Sequence, residues 1–407
     1  MNAISRAVLL AVTMLSASAA RAETLTLEEA IRRSVAQSPQ GEATAARIAV
    51  LDAARAAADT KPAPTIEGTI ENIGTGGFSQ VQIDATYNQR LERGGKRQAR
   101  IDVVEGDLGV ARAEALIRRL DLAKQVQELY VEAQTAALKL ELAKSRVEIA
   151  QRLQTEVKRR VDDARDPLFA GTRARTQLAE AQVDLELAEH ALEAAKVRLA
   201  LIAGGTPEEL TIVTTGFLEP TPVAAEAPAL GTVDYALYEA RSRRADANIR
   251  LQEAGARTDP TVFAGPRLFG SGDVAIIAGV SLPLRNRALN RANLARAEAE
   301  RRQVEAELAV QRFDRLREVA LAAERVEEAR READAIRSRV IPGAEQTLRE
   351  VRAGYNRGGF TFLDVSTAQS ALHDARVRMV TALAEYHRAR ADLDRLTGRF
   401  AELVGGI

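Results

Sequence analysis

Three histidines and no cysteine are all that this 407-residue chain offers for imidazole, thiol or soft-metal chemistry. The sequence does not gather them. His190, His373 and His387 each fall inside a long helical stretch, and none has a second His at i+3 or i+4. That spacing is what sets two imidazoles on one helix face for zinc. No H-E-x-x-H, G-x-S-x-G, G-x-G-x-x-G or EF-hand pattern occurs. Arg93-Gly94-Gly95-Lys96 is not a phosphate loop, because Arg90 stands where such a loop needs Gly and Arg97 where it needs Ser or Thr. Carboxylates are plentiful but interleave with Arg along helices, as solvated faces do. The expectation is a chain that is not an enzyme, with no catalytic, cofactor or metal site. Zero Cys also removes disulfide scaffolds and lipidation at an N-terminal Cys.

The composition excludes one class of function and favours one architecture. Lys+Arg and Asp+Glu each number 57, so the chain lacks the basic excess that a nucleic-acid binder needs. Aromatic residues make up 4% and charged residues 28%, with many Ala, Leu, Arg and Glu; this mixture favours long helices meeting through narrow seams over a thick globular core. Residues 1–22 read as a cleaved secretory signal: Arg6, the apolar run 7–14, then Ala20-Arg21-Ala22. No later stretch is long and apolar enough for a membrane helix, so any span must be built from β-strands.

The remainder, 23–407, reads as one domain made of two repeats, about 24–203 and 233–400, joined by a Pro/Gly-rich connector, 204–232. Each repeat runs helix, β-hairpin, long helix, returning helix. Pro64-Thr65 and Pro260-Thr261 mark corresponding points. The expected strands are 65–71, 80–88, 261–269 and 273–284. Val81, Ile83, Ala85 and Tyr87 alternate with polar residues, and Val274, Ile276, Ala278, Val280, Leu282 and Leu284 share a face. Segment 261–269 alternates least cleanly, because Phe263, Pro266 and Phe269 interrupt it. A half-buried soluble sheet would alternate in the same way. An exported chain of long helices, however, offers no other apolar layer for such strands to cover. Four strands cannot close a barrel, so a membrane barrel would have to be shared between chains.

Val81, Ile83, Val274, Ile276 and Val280 are therefore expected to face lipid, and Ile83→Arg to impair assembly more than Asp84→Arg. After the hairpins come Arg93, Lys96 and Arg97, then Arg285 and Arg287, expected to extend into the headgroup layer. Residues 95–163 and 288–356 read as very long helices of equal length, followed by returning helices at 167–203 and 361–397. Along the first, Ala123, Val126, Tyr130, Ala133, Ala137, Leu140, Lys144 and Val147 step in a coiled-coil rhythm.

With these repeats in place, the chain resembles the outer-membrane efflux protein (TolC-type) family, most of all the branch serving heavy-metal resistance–nodulation–division pumps. Three passages carry the resemblance: 89–97 (QRLERGGKR), 280–287 (VSLPLRNR), and 353–369, which begins AGYNRGGFTFLDV. The resemblance implies a mainly α fold with a small membrane β-barrel contribution. It also implies a homotrimer with twelve strands in one barrel, and a helical tunnel extending from the outer membrane into the periplasm. Its partners would be a periplasmic adaptor, an inner-membrane pump and outer-membrane lipid. It further implies a periplasmic gate in which Tyr355, Gly358 and Asp364 match positions for gate bonding, adaptor contact and a constricting carboxylate, with Gly359 beside them. Thr367 stands where the family can carry a second Asp, Phe360 where it can carry Arg, Ala164 at the Gly position of the first turn and Ala170 at its acidic position. The implied activity is a passive exit duct for efflux, with heavy-metal cations a candidate cargo. Drug export and type I protein secretion would use the same architecture. A periplasmic adaptor would instead set one helical hairpin in Gly-rich β-domains, whereas this chain has two helical repeats.

Overall fold

Long stretches free of proline, each closed by glycine or a polar cap, dictate the architecture. The computed structural model describes residues 23–74, 76–222 and 232–405. The signal segment expected at 1–22 and connector residues 223–231 lie outside the described residues. Strand β1 (Glu23–Leu25) leads to helix α1 (Leu27–Gln37), whose Glu29 N–H donates to the Thr26 hydroxyl. Ser38 then caps α2 (Pro39–Ala58), with Pro39 in the first turn, where a missing N–H costs nothing. Strands β2 (Thr65–Glu71) and β3 (Gln82–Arg90) form the first hairpin. Helices α3 (Lys96–Asp162) and α4 (Leu168–Ala203) complete the first repeat. In the connector, β4 (Leu210–Ile212) pairs in parallel with β1.

The second repeat runs α5 (Thr232–Gly255), β5 (Thr261–Phe269), β6 (Val274–Ser281), α6 (Arg287–Ala335), α7 (Ile341–Asn356) and α8 (Phe362–Thr397), with a short α9 (Ala401–Gly405) behind it. Between α6 and α7 the helical rod widens into a π turn, Ile336–Val340. The helix expected over 288–356 runs without a break but changes its winding there for a specific reason: Pro342 has no N–H to donate, and its ring crowds the carbonyl four residues back, at Ser338. The 67-residue α3 is about 100 Å long at ~1.5 Å per residue. Its buried seam follows Ala123, Val126, Tyr130, Ala133 and Leu140, then passes to Ala143. Lys144, expected in the seam, is exposed and pairs with Glu141. No helix among the described residues is long and apolar enough to cross a membrane.

The four longer strands form one antiparallel sheet in the order β2-β3-β5-β6. Register puts Ile66 and Ile70, Ile83 and Tyr87, Val262 and Leu268, and Val274, Ile276 and Val280 on one face, all exposed in the chain. The other face carries Glu67, Glu71, Asp84, Asn88 and Arg267. Pro266 falls on the apolar face of β5, but Phe263 and Phe269 fall on the polar face opposite Asn88 and Gln82, so the expected irregularity there is present. Val81 is corrected: it follows a short 3-10 turn, Phe78–Gln80, and precedes β3. Leu282 and Leu284 likewise lie beyond β6.

Where sheet meets tunnel, the basic residues are engaged within the protein. Asp259, 3% exposed, accepts from Arg90 (2.7 Å), Lys96 (2.8 Å) and the Arg93 backbone N–H (3.0 Å). Burial alone would raise the Asp259 pKa, but Lys96, the Arg93 N–H and Arg90 outweigh it and hold the carboxyl below its usual range. Arg97 pairs with Asp59 at 2.6 Å, and Arg285 donates to the Ala256 carbonyl at 2.7 Å. Lys96, Arg97 and Arg285, expected to extend into the headgroup layer, thus hold partners within the chain.

The faces revise one expectation. Asp84 is paired with Arg267 and so is a poor control for a tolerant polar-face site. Thr86, on the same face, replaces it. Ile83→Arg should abolish the heat-modifiable assembled band on gels, whereas Thr86→Arg should retain it, because a cation on a lipid face costs ~2–4 kcal/mol at mid-depth. Equal tolerance would contradict this facing.

Candidate functional site

At the far end of the helical rods the two repeats turn side by side, and both turns are built alike. After α3, Ala164 N–H donates to the Val161 carbonyl and Arg165 N–H to that of Arg160. After α7, Gly358 N–H donates to the Tyr355 carbonyl and Gly359 N–H to that of Gly354. Each pair of bonds is a Schellman closure, which requires a left-handed residue at its centre. Gly358 takes φ +81° without cost, whereas Ala164 takes φ +56° against its Cβ. The reading of Ala164 as standing at a Gly position is thereby given a physical meaning.

The turns are latched together. Asp166 accepts from the Tyr355 hydroxyl at 2.5 Å and from Arg160 at 3.0 Å, and the Arg160 guanidinium lies 4.1 Å from the Tyr355 ring centroid. Tyr355 is 2% exposed and packs with Leu153, Val157, Ala170, Ala174, Phe362 and Val365. Burial first, and then the Asp166 carboxylate, push the Tyr355 hydroxyl pKa well up, so it remains a donor at any physiological pH. Gln177 and Ser366 form a second hydrogen bond between α4 and α8. Next to Tyr355, Gly354 leaves room for the Phe360 ring, which a Cβ there would displace.

Asp364 and Ala170 occupy the same third position of their helices, but in different surroundings. The Asp364 carboxylate accepts from Thr361 N–H at 2.8 Å and Thr361 hydroxyl at 2.7 Å, while Asp364 N–H donates back to that hydroxyl. This is a reciprocal capping box at the start of α8. The Thr361 backbone donor, then its hydroxyl, lower the Asp364 pKa. Ala170 is instead buried. Thr367, one turn beyond Asp364, is exposed. Leu168, Phe169, Phe360 and Leu363 also leave apolar surface open at the tip. The structure therefore gathers Tyr355, Gly358, Gly359, Asp364, Ala164 and Ala170 into one region. Sequence reading missed Arg160 and Asp166, which lie six residues apart across a turn and carry no periodic signal.

His373 lines a cavity with Leu153, Gln177 and Ser366 at the edge of this region, whereas the other two histidines stand apart from it. His190 is exposed, and His387 stacks on Phe217 at 4.5 Å between ring centroids while bonding its carbonyl. Among the described residues, no three His, Cys, Asp or Glu side chains gather as a metal cage.

The family model described as outer membrane efflux protein matches residues 30–205 and 232–399. The chain belongs to that family. The cobalt-zinc-cadmium resistance protein CzcC of Cupriavidus metallidurans is 28% identical over 322 residues, covering 77% of each chain. The nickel-cobalt-cadmium resistance protein NccC of Alcaligenes xylosoxydans xylosoxydans is 26% identical over 273 residues, covering 64% of this chain and 61% of its own. Among solved structures, the outer membrane protein VceC of Vibrio cholerae superposes with a TM-score of 0.69 at 19% identity, covering 91% of this chain and 96% of its own. The channel CusC gives 0.72 at 18% identity, covering 91% of each. These likenesses establish the fold: mainly helical, with a small β-sheet.

The turn geometry makes two expectations measurable. Ala164→Gly should stabilise the protein by ~0.5–1 kcal/mol, the left-handed strain relieved less the added freedom of the unfolded chain. A raised midpoint of thermal unfolding checks it. Tyr355→Phe removes one donor from a charged acceptor that keeps Arg160, so it should cost ~1–2 kcal/mol. In a double-mutant cycle with Asp166→Asn, the two losses should couple instead of adding.

Proposed function

We propose that three copies of this chain close a twelve-stranded outer-membrane barrel continuous with a helical tunnel. In this reading the assembly is the passive exit duct of a tripartite efflux pump. Its tip docks a periplasmic adaptor and opens toward an inner-membrane pump of the resistance–nodulation–division type. Heavy-metal cations are the cargo. The observation that carries the reading is the sheet: one apolar face, two unpaired edges, and a position at one end of ~100 Å helical rods in an outer membrane efflux chain. Exposed apolar positions on α4 (Val183, Leu187, Val197 and Leu201) and on α6 (Val310, Phe313, Leu316 and Leu321) supply helical surface for neighbouring copies. The names of CzcC and NccC support metal cargo, since both are called metal resistance proteins.

In a sensitive host lacking its own duct, co-expression with the neighbouring adaptor and pump genes should restore tolerance to cobalt, zinc or cadmium. Restored drug tolerance or protein export without metal tolerance would contradict the cargo.

The Tyr355–Asp166–Arg160 latch is read as the resting restraint on the tunnel mouth, and Asp364 as the carboxylate that three copies bring near the axis. Tyr355→Phe should then raise single-channel conductance several-fold. Asp364→Ala should lose block by multivalent cations applied from the periplasmic side. The sign of the pH dependence follows from the cap. With its folded pKa lowered, Asp364 stays charged until pH falls below the ordinary carboxylate range near ~4. Block should therefore persist unchanged from pH 7 to about 4.5. Loss of block near pH 6 would mean that crowding in the assembly overrides the cap and takes up a proton.

A further inference from the structure

Between the two helical hairpins, just behind the latched tips, packing is incomplete. A cavity of about 100 Å³ opens there among α3, α4, α7 and α8, with room for several waters. Ile149, Leu153, Leu348 and Leu372 give it apolar walls. Leu153 also belongs to the cluster that holds Tyr355, so cavity and latch share one packing. Ser145, Gln369, Ser370 and His373 line it as well. The Gln369 amide nitrogen is buried without a hydrogen-bond partner, and neither ring nitrogen of His373 has one among the described residues. The charges around the ring come from all four helices. Arg146 of α3 is paired with Asp184 of α4, and Arg376 of α8 with Glu345 of α7 at 3.0 Å. Asp374 adjoins His373 on α8, and Glu180 of α4 lines the cavity. Burial, and then Arg146, hold the His373 pKa below its ordinary value of 6.5, against the weaker pull of Asp374 and Asp184.

We propose that His373 is an acid-sensitive switch between the two hairpins of one chain: a proton taken up in this cavity drives α3–α4 and α7–α8 apart and loosens the tunnel mouth. The mouth belongs to the duct reading above, whereas the parting of the hairpins does not depend on it. Linkage gives the direction. While the hairpins are packed, the ring resists a proton; once they part, water returns it to its ordinary pKa. Above pH 6.5 the ring is neutral in both arrangements, and the packed one keeps its full advantage. As pH falls through 6.5 toward the lowered packed-state value, the parted arrangement takes up the proton first and gains. A third positive charge beside Arg146 and Arg376 adds repulsion. The Gln177–Ser366 bond is the contact most exposed to this change, since both residues line the cavity and they join α4 to α8. His373 lies nine residues beyond Asp364 on α8, ~14 Å of helix at ~1.5 Å per residue, so the two groups titrate separately at ordinary salt.

Hydrogen exchange and planar-bilayer recordings on the purified full-length assembly test this between about pH 7.5 and 5.5. After correction for the intrinsic pH dependence of exchange, amides of 142–157 on α3 and 366–380 on α8 should lose protection at the lower pH. Conductance should rise about threefold or more over the same range. His373→Gln, and His373→Asn as a second neutral replacement, should abolish both responses and match the parent at pH 7.5. Tyr355→Phe should keep the pH step on top of its higher conductance. Block by multivalent cations should remain throughout, because Asp364 keeps its charge over this range. A parent whose exchange does not respond to pH overturns the proposal, as does a response of equal size in the two neutral variants. Flat conductance in channels that form also overturns it. An exchange response confined to the parent, in an assembly that forms no channel, contradicts the duct reading and leaves the switch standing, which separates the two failures.

Discussion

A sheet that enters hydrocarbon must pair every backbone N–H and C=O within protein, because lipid offers no partners. Here β2 and β6 are the edges of a four-stranded sheet, one of whose faces is apolar except for Gln89 at the foot of β3. Four strands are half of what the smallest membrane barrels need. The chain therefore carries an unmet requirement for backbone bonds as well as exposed apolar surface, and only other β edges can meet it. Copies of itself bring edges of matching length and facing. The proposed assembly follows from this requirement, and the long helices must then stand parallel below the barrel.

The tunnel end obeys a different rule. Its two turns share one backbone plan but not one chemistry. Gly358 is replaced by Ala164, the Asp364 cap by buried Ala170, and buried Phe362 by exposed Leu168. Asp166 joins the halves by holding Tyr355 from the second repeat and Arg160 from the first. A carboxylate with both partners nearly buried beside it makes a well-defined restraint, and removing one donor leaves the other in place. In the proposed duct, stiff rods latched at their tips would hold the mouth until the latch is broken.

Much of this was legible in the sequence because it is periodic. The duplication, the return helices at 168–203 and 362–397, the Pro39 break and the facing of Ile83 and Ile276 all follow from spacing or from single punctuating residues. What escaped is not periodic. The β1–β4 pairing involves two segments of three residues, too short for any pattern. The π turn before Pro342 is a local answer to one missing donor. Lys96 and Arg97 were assigned to lipid headgroups because sequence shows charge but not the carboxylate, Asp259 or Asp59, that folding brings to it. Asp166 was overlooked for the same reason, since its partners lie six residues before it and 189 residues after it.

Electron microscopy of the detergent-purified, full-length assembly tests the central claim most directly. The account predicts threefold particles with a single twelve-stranded barrel inside the micelle belt and a helical tunnel extending ~100 Å from it. Monomeric particles, a different rotational symmetry, or a four-stranded sheet lying outside the micelle would contradict it.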